Sequence, residues 1–328
     1  MRIAVCEGDG IGHEVIPVAK AVLEHFIPGA DYFDVFVGYG KWEKEGCECT
    51  DDDIKALKSS DAILFGAVTT PPDPDYKSVL LRIRHELDLY ANLRPVKGTI
   101  NGHNFDIMIV RENTEGLYSG IEEIGEDKST TLRVVTKKGS ERIAKAACSL
   151  SIERGKRQPL IIGNKANALK SDVLFRDTCI KTAESMGVSY KTMFIDALTL
   201  DVLMRPKSYD VIVTTNMFGD ILSDACGYLT GGLGMLPSAN IGEKYAFFEP
   251  VHGSAPDIAG RGIANPVAAI RSACMMLEHF GMKKEAEIVE ESIINVISSG
   301  IKTPDIGGSS GTKEFGEKIL ECIKKNNS

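Results

Sequence analysis

Several large protein classes are excluded by what this chain lacks. No apolar stretch approaches the ~20 residues needed to cross a bilayer, and no basic-then-apolar leader opens the sequence. A membrane or secreted protein is therefore not expected. There is no C-x-x-C, and the six histidines form no H-x-x-x-H pair, which argues against a zinc site. Positive charge is in deficit. The net charge is −8, whereas a general nucleic-acid binder needs a basic face. Repeats, low-complexity tracts and long linkers are also missing. So is the dinucleotide fingerprint G-x-G-x-x-G.

What is present suits a soluble α/β protein. Of 328 residues, 43% are hydrophobic and 26% charged, enough for two ordinary domains. The eight cysteines sit mostly alone in apolar contexts. They read as reduced thiols in a cytoplasmic protein. Short buried runs alternate with helical patterns: strands at Arg2–Cys6, Tyr32–Val37, Ala62–Ala67, Phe105–Arg111, 131–136, Leu160–Gly163, 191–195, 210–214 and Phe247–Pro250. Helices are expected over Glu14–Phe26, Asp51–Ser59, Lys77–Tyr90, Ser140–Arg154, Lys170–Met186, Pro266–Phe280, Lys283–Ser299 and Thr312–Lys325. A three-proline loop spans Thr69–Pro74. This alternation predicts a largely parallel sheet. The chain is expected to cross between domains near 92–95 and to return near Gly231-Gly232-Leu233-Gly234. One domain would then be 1–94 with 231–328, and the other 95–230.

Three stretches carry candidate chemistry. Gly8-Asp9-Gly10-Ile11-Gly12 joins the first strand to the first helix with G-x-G-x-G spacing, and reads as a tight connection that could edge a site. After the run Asp210-Val211-Ile212-Val213, Asn216 and Gly219 punctuate the entry to a helix. Asp220 and Asp224 then lie one turn apart on one helical face. Two readings stand for that pair: solvated helix acids, or oxygen ligands for a hard divalent ion. The helix 77–90 sets Ser78, Leu80 and Leu81 beside Arg84. Arg94 and Arg111 end neighbouring elements. Three guanidiniums suit a dicarboxylate, and the leucines suit a branched apolar arm. Any one of these arginines alone reads as surface.

Five stretches together resemble the β-decarboxylating dehydrogenases, the isocitrate/isopropylmalate dehydrogenase family. They are Glu7–Gly12, Leu87–Pro95, Val110–Tyr118, Asn216–Asp224 and Val251–Asp257, in order along essentially the whole chain. The resemblance implies that family's own two-domain α/β fold, with a large mixed parallel sheet and not a Rossmann fold. It implies Mg²⁺ or Mn²⁺ held by Asp196, Asp220 and Asp224. Arg84, Arg94 and Arg111 would hold a malate-type substrate, with Ser78, Leu80, Leu81 and Asp196 beside it. Tyr118 matches the family's general acid and Lys165 its base-side residue. In relatives the lysine and one aspartate enter from a second subunit, so a homodimer with shared sites follows.

The cofactor implied is NAD, bound by Thr69, His252, Gly253, Ser254, Ala255, Asp257, Ile258 and Asn265. Asp257 would accept ribose hydroxyls and repel a 2′-phosphate of about −1.5 to −2 charge. At ~4 Å near a surface that repulsion reaches about 4 kcal/mol. Relatives using NADP carry lysine then tyrosine where Asp257-Ile258 stand. Two leucines at the family's specificity positions favour 3-isopropylmalate, converted in leucine biosynthesis, with 3-methylmalate also open. Ser78 and Lys77 depart from that pattern and keep homoisocitrate or isocitrate as alternatives. A non-catalytic regulatory subunit is the rival of another class, though the lysine, tyrosine and three aspartates are all in place.

Overall fold

The computed structural model describes residues 1–73, 75–100 and 102–327; Pro74, the last residue of the expected proline loop, lies outside them. In chain order the elements are β1 (Arg2–Cys6), α1 (Gly12–Phe26), β2 (Asp31–Asp34), α2 (Tyr39–Glu45), α3 (Asp51–Lys58), β3 (Ala62–Phe65), α4 (Val79–Glu86), β4 (Ala91–Ile100) and β5 (His103–Glu112). Two short strands follow, β6 (Glu122–Glu123) and β7 (Thr130–Thr131). Then come α5 (Lys137–Glu153), β8 (Leu160–Asn164), α6 (Lys170–Ser185), β9 (Tyr190–Phe194), α7 (Ile195–Met204), β10 (Val211–Thr214) and α8 (Asn216–Thr230). The last elements are β11 (Pro237–Ile241), β12 (Ala246–Pro250), α9 (Val267–His279), α10 (Lys283–Ser298) and α11 (Thr312–Asn326).

The fold is α/β with a large mixed sheet of ten strands. The chain divides into two compact units: Met1–Leu87, Gly231–Ala239 and Lys244–Ser328 form the first, and Asp88–Thr230 with Asn240–Glu243 the second. Strands of the first unit run in the order β2-β1-β3-β12-β11, with β1 parallel to β2 and β3, and β12 parallel to β3. The residues of β3, Ala62-Ile63-Leu64-Phe65, are all buried, as a parallel strand covered on both faces requires. The second unit runs β4-β5-β10-β8-β9, with β4 antiparallel to β5 and the other pairs parallel. Its core gathers Val110, Ile143, Ala147, Phe175, Val211 and Val213.

Several elements depart from the sequence expectation. The helix expected over Lys77–Tyr90 begins at Val79, where the Ser78 side chain accepts the Leu81 N–H at 3.4 Å, and it stops at Glu86. Asp88 then takes a left-handed φ of 46°, and Ala91 opens β4. Pro95 and Gly98 hid that ten-residue strand, because both are poor strand residues. The strand expected over 131–136 shrinks to the β6–β7 pair and an isolated bridge between Gly116 and Val134. The elements α2, α7 and β11 had no expectation. Among the described residues no helix is long and apolar enough to cross a membrane. None of the eight cysteines is joined in a disulfide.

Candidate functional site

In the second unit, pleating and register bring three side chains to one face. Asn92 and Arg94 are two apart on β4, and Asn92 is the register partner of Arg111 on β5. Helix α8 lies on these strands, and Gly219 allows the approach. A Cβ there would stand 2.7 Å from Arg111 Cγ and 2.8 Å from its Cβ. One turn of α8 then delivers Asp220 and Asp224. The Asp220 Oδ1 lies 2.6 Å from Arg111 Nη1 and 3.0 Å from Arg94 Nη2; Asp224 Oδ1 lies 3.2 Å from Arg94 Nη1. Asn92 and Ser223 accept from Arg94 at 2.7 and 2.6 Å, and Asn216 accepts from Arg111 at 2.8 Å. Tyr118, in a short 3₁₀ turn, donates to Asp220 Oδ2 at 3.2 Å, and its ring centroid is 5.6 Å from the Arg111 guanidinium carbon. Burial pushes the Asp224 carboxyl up; Asp220 adds to that and Arg94 opposes it.

A second pair lies elsewhere in the same unit. Lys165 follows β8, and Asp196 opens α7 directly after β9. The parallel register Asn164↔Phe194 sets the two strand ends level. The Lys165 Nζ reaches Asp196 Oδ1 at 2.8 Å and holds that carboxyl below the usual range. The structure thus brings Tyr118, Arg94, Arg111, Asp220 and Asp224 together, and Lys165 with Asp196. Among the described residues of one chain, no three metal-ligating side chains form a group that could hold an ion. The acids of α8 still fit half of a hard divalent site in donor chemistry, since carboxylate oxygens are what such ions take.

In the first unit, Arg84 is 7% exposed and gives Nη2 to Glu249 Oε1 at 3.1 Å. Its buried Nε finds no acceptor among the described residues, which fits a bound carboxylate. Leu80 and Leu81 are half-buried on the same helix.

The glycine turn is a structural hub. A Cβ at Gly10 would meet the Ser254 carbonyl oxygen at 2.1 Å, and the Ile11 N–H donates to that oxygen at 2.9 Å. The buried Asp9 carboxylate accepts the N–H groups of Tyr39, Gly40 and Thr69 at 2.8, 2.8 and 2.9 Å. Thr69 Oγ1 and Ser254 Oγ meet at 2.6 Å. Loop 252–258 is therefore anchored, and Ala255 in it holds a left-handed φ of 41°.

Within that loop, Gly253 faces open space and Asp257 is exposed, while Ile258 is half-buried. Burial lowers the His252 pKa and keeps the ring neutral. Its Nδ1 lies 3.0 Å from Gly253 O, which assigns the proton there and leaves the buried Nε2 an acceptor without a partner among the described residues. Asn265 is differently placed: Nδ2 donates to Asp305 at 3.0 Å and Oδ1 accepts the Val267 N–H at 3.0 Å. Its side chain is engaged within the fold.

Sequence reasoning missed Asp9 as an anchor, and also Glu249, Asp305, Arg133 and Asp172. Asp9 lies inside the glycine turn, where only the glycines carry the spacing, and each of the others is a single polar residue outside a spacing motif. Burial inside an otherwise apolar context was the one signal available for Asp172 and Glu249.

A sequence profile of the family described as isocitrate/isopropylmalate dehydrogenase matches residues 2–319. The chain is 45% identical to an isocitrate/homoisocitrate dehydrogenase of Thermus thermophilus, over 98% of each sequence. It is also 45% identical to a 3-isopropylmalate dehydrogenase of Archaeoglobus fulgidus, over 98% of this chain and 99% of the relative. Among solved structures it resembles an isocitrate dehydrogenase from Methylococcus capsulatus, with TM-score 0.93, 38% identity, and 98% and 99% coverage of the two chains.

Proposed function

Because this chain belongs to the isocitrate/isopropylmalate dehydrogenase family of β-decarboxylating enzymes, we propose that it carries out NAD-dependent oxidative decarboxylation of a 3-substituted malate. The favoured substrate is 3-isopropylmalate, giving 4-methyl-2-oxopentanoate and CO₂. The observation that carries the reading is the Asp220 carboxylate, within reach of Arg94, Arg111 and Tyr118 at 3.0, 2.6 and 3.2 Å.

Arg84, Arg94 and Arg111 bind the substrate carboxylates. Asp220 and Asp224, with Asp196 of a second copy, would hold Mg²⁺ or Mn²⁺. When bound, that ion would supply Lewis acidity to the substrate. Lys165 of that second copy would take the C2 hydroxyl proton, and NAD, when bound, would supply the hydride acceptor. The β-keto acid loses CO₂, and Tyr118 delivers a proton to C3. The hydrogen bond from Tyr118 to Asp220 orients that hydroxyl. In the first unit, Thr69, His252, Gly253, Ser254, Ala255, Asp257, Ile258 and Asn265 would bind NAD. The neutral His252 Nε2 suits the adenine amino group, and the exposed Asp257 suits a ribose diol.

Leu80 and Leu81 support an alkyl substituent, at about 0.8 kcal/mol for each methylene buried. A tricarboxylate substrate, homoisocitrate or isocitrate, is the second reading. The Thermus thermophilus relative, as similar as the isopropylmalate one, favours it. A homodimer is supported by apolar residues left outward on α7 and α8: Leu200, Met204, Ile221 and Tyr228 are 61, 70, 57 and 82% exposed.

The test is turnover of the purified chain with Mn²⁺ on isopropylmalate, methylmalate, isocitrate and homoisocitrate in parallel, each with NAD and NADP. Isopropylmalate with NAD should give the highest kcat/KM. Isocitrate winning refutes the substrate, NADP winning refutes the cofactor, and no reduced nucleotide at all leaves the regulatory-subunit rival.

A further inference from the structure

Arg133 lies in none of the stretches that carry the family resemblance, yet it touches three parts of the second unit at once. Its Nη2 pairs with Asp172 Oδ1 at 2.5 Å and donates to Thr215 Oγ1 at 3.1 Å. Its Nη1 donates to Ser171 Oγ at 2.5 Å, and its guanidinium stands 5.4 Å from the Phe218 ring centroid at the start of α8. The next residue, Val134, exchanges two main-chain hydrogen bonds with Gly116 at 2.7 and 3.1 Å, two residues before Tyr118. Asp172 has a side-chain exposure of 0%. Its other oxygen accepts the Lys165 main-chain N–H at 2.6 Å.

We propose that Arg133 and Asp172 are positioning residues for Lys165. Asp172 grips the Lys165 main chain, and Arg133 locks that carboxylate to the Tyr118 turn and to the first turn of α8. A buried carboxylate persists only where it is paired and hydrogen-bonded. Among the described residues, the Asp172 carboxylate meets Arg133 and the Lys165 main-chain N–H, both members of this network. The Lys165–Asp196 contact is itself open to solvent, with side-chain exposures of 26 and 66%. It cannot by itself fix the backbone from which Lys165 reaches. Asp172 also sits in the first turn of α6, where the helix dipole favours an anion. The carboxylate therefore has a preferred place from which to hold the preceding loop.

The inference rests on Lys165 acting in the proposed reaction, so its test has an arm that needs no turnover. Asp172→Asn, Arg133→Lys and Arg133→Met are assayed well below each variant's Tm. The expectation is a fall in kcat of about 10- to 100-fold, as misplacement of a reacting group by ~1 Å gives. KM for NAD should stay within about twofold, and Arg133→Lys should recover part of what Arg133→Met loses. In parallel, the rate at which an amine-directed reagent labels Lys165 at one fixed pH is read by peptide mass spectrometry. Both Asp172→Asn and Arg133→Met should change it several-fold.

Unchanged kcat and unchanged labelling alongside a lowered Tm would reduce the pair to a fold-stabilising contact and overturn the proposal. If the parent chain turns over no malate, the functional reading fails, and the labelling arm still decides the positioning. If the Arg133 and Asp172 variants do not fold, Thr215→Val carries the test. It removes one acceptor of the Arg133 fork, and it should lower kcat and shift labelling in the same direction. A wild-type result there would count against the proposal.

Discussion

Gly219 offers a sharp separation of stability from function. Gly219→Ala places a methyl 2.7 Å from Arg111 Cγ, 2.8 Å from Arg111 Cβ and 3.2 Å from Thr214 Cγ2. Non-bonded carbons pack best at about 3.5–4.0 Å, so α8 and β5 must separate by several tenths of an ångström or Arg111 must change rotamer. Overpacking of this kind costs about 1–3 kcal/mol. Replacing a helical glycine with alanine returns about 1 kcal/mol. The net is about 0–2 kcal/mol, a few degrees in Tm at most for a chain of this size.

Function should suffer much more. The displaced elements carry Arg111 and Asp220, held at 2.6 Å, and a shift approaching 1 Å costs about 100-fold in rate. The control is Gly316→Ala in α11, whose Cβ would stand 2.5 Å from Val18 Cγ1, in the first unit. It should cost comparable stability and leave kcat near the parent value. Tm by differential scanning fluorimetry and kcat by nicotinamide absorbance read both. Full activity in Gly219→Ala, or equal kcat losses in the two variants, would refute the close-approach reasoning.

Three further outcomes are expected. Asp196 has a depressed pKa in the fold because of Lys165. Its contribution to stability is therefore complete above about pH 4 and is lost as pH falls through the depressed value. Lys165→Gln should remove that limb from a Tm-against-pH curve, and identical acid limbs would contradict it. Asp224 is raised by burial, so its contribution is present at low pH and is lost as pH rises through the folded pKa. At pH 7.5 without metal, Asp224→Asn should be no less stable than the parent. It should also lack the Mn²⁺-induced stabilisation, about 2.7 kcal/mol at one hundred times Kd. A Tm fall of several degrees would mean that the Arg94 pair outweighs burial. Asp257→Lys should raise the NADP/NAD ratio of kcat/KM at least about tenfold, a shift of ~1.4 kcal/mol. No change would place Asp257 away from the ribose.

Much of the layered architecture was legible because parallel strands buried on both faces read as unbroken β-branched runs, as Val211-Ile212-Val213 does. Arg111 was legible for the same reason, at the end of such a run. The α4 boundary was not. Leu87 and Leu89 continue an apolar pattern, and only a left-handed Asp88 breaks it. The strand β4 was hidden by Pro95 and Gly98, which the register opposite Met108 and Phe105 tolerates. The acids on α8 were visible as a helical spacing, but their arginine partners come from across a sheet. Periodicity says nothing about such distant pairs. Asp9 was invisible as an anchor because its role depends on three N–H groups drawn from residues 39, 40 and 69.

The division of the chain has a consequence during synthesis. The second unit is nearly continuous, Asp88–Thr230 with only Asn240–Glu243 added from later, whereas the first needs residues up to the far end. Glu14 in α1 accepts from the Gly260 N–H at 2.7 Å, a partner 246 residues downstream. On the ribosome the arginine–aspartate half can therefore assemble early, while the amino-terminal segment waits as an unfinished surface for its carboxy-terminal complement. At about 5–20 residues per second that wait lasts on the order of ten seconds or more. The first strands therefore stay without their late partners until the carboxy-terminal residues have been made.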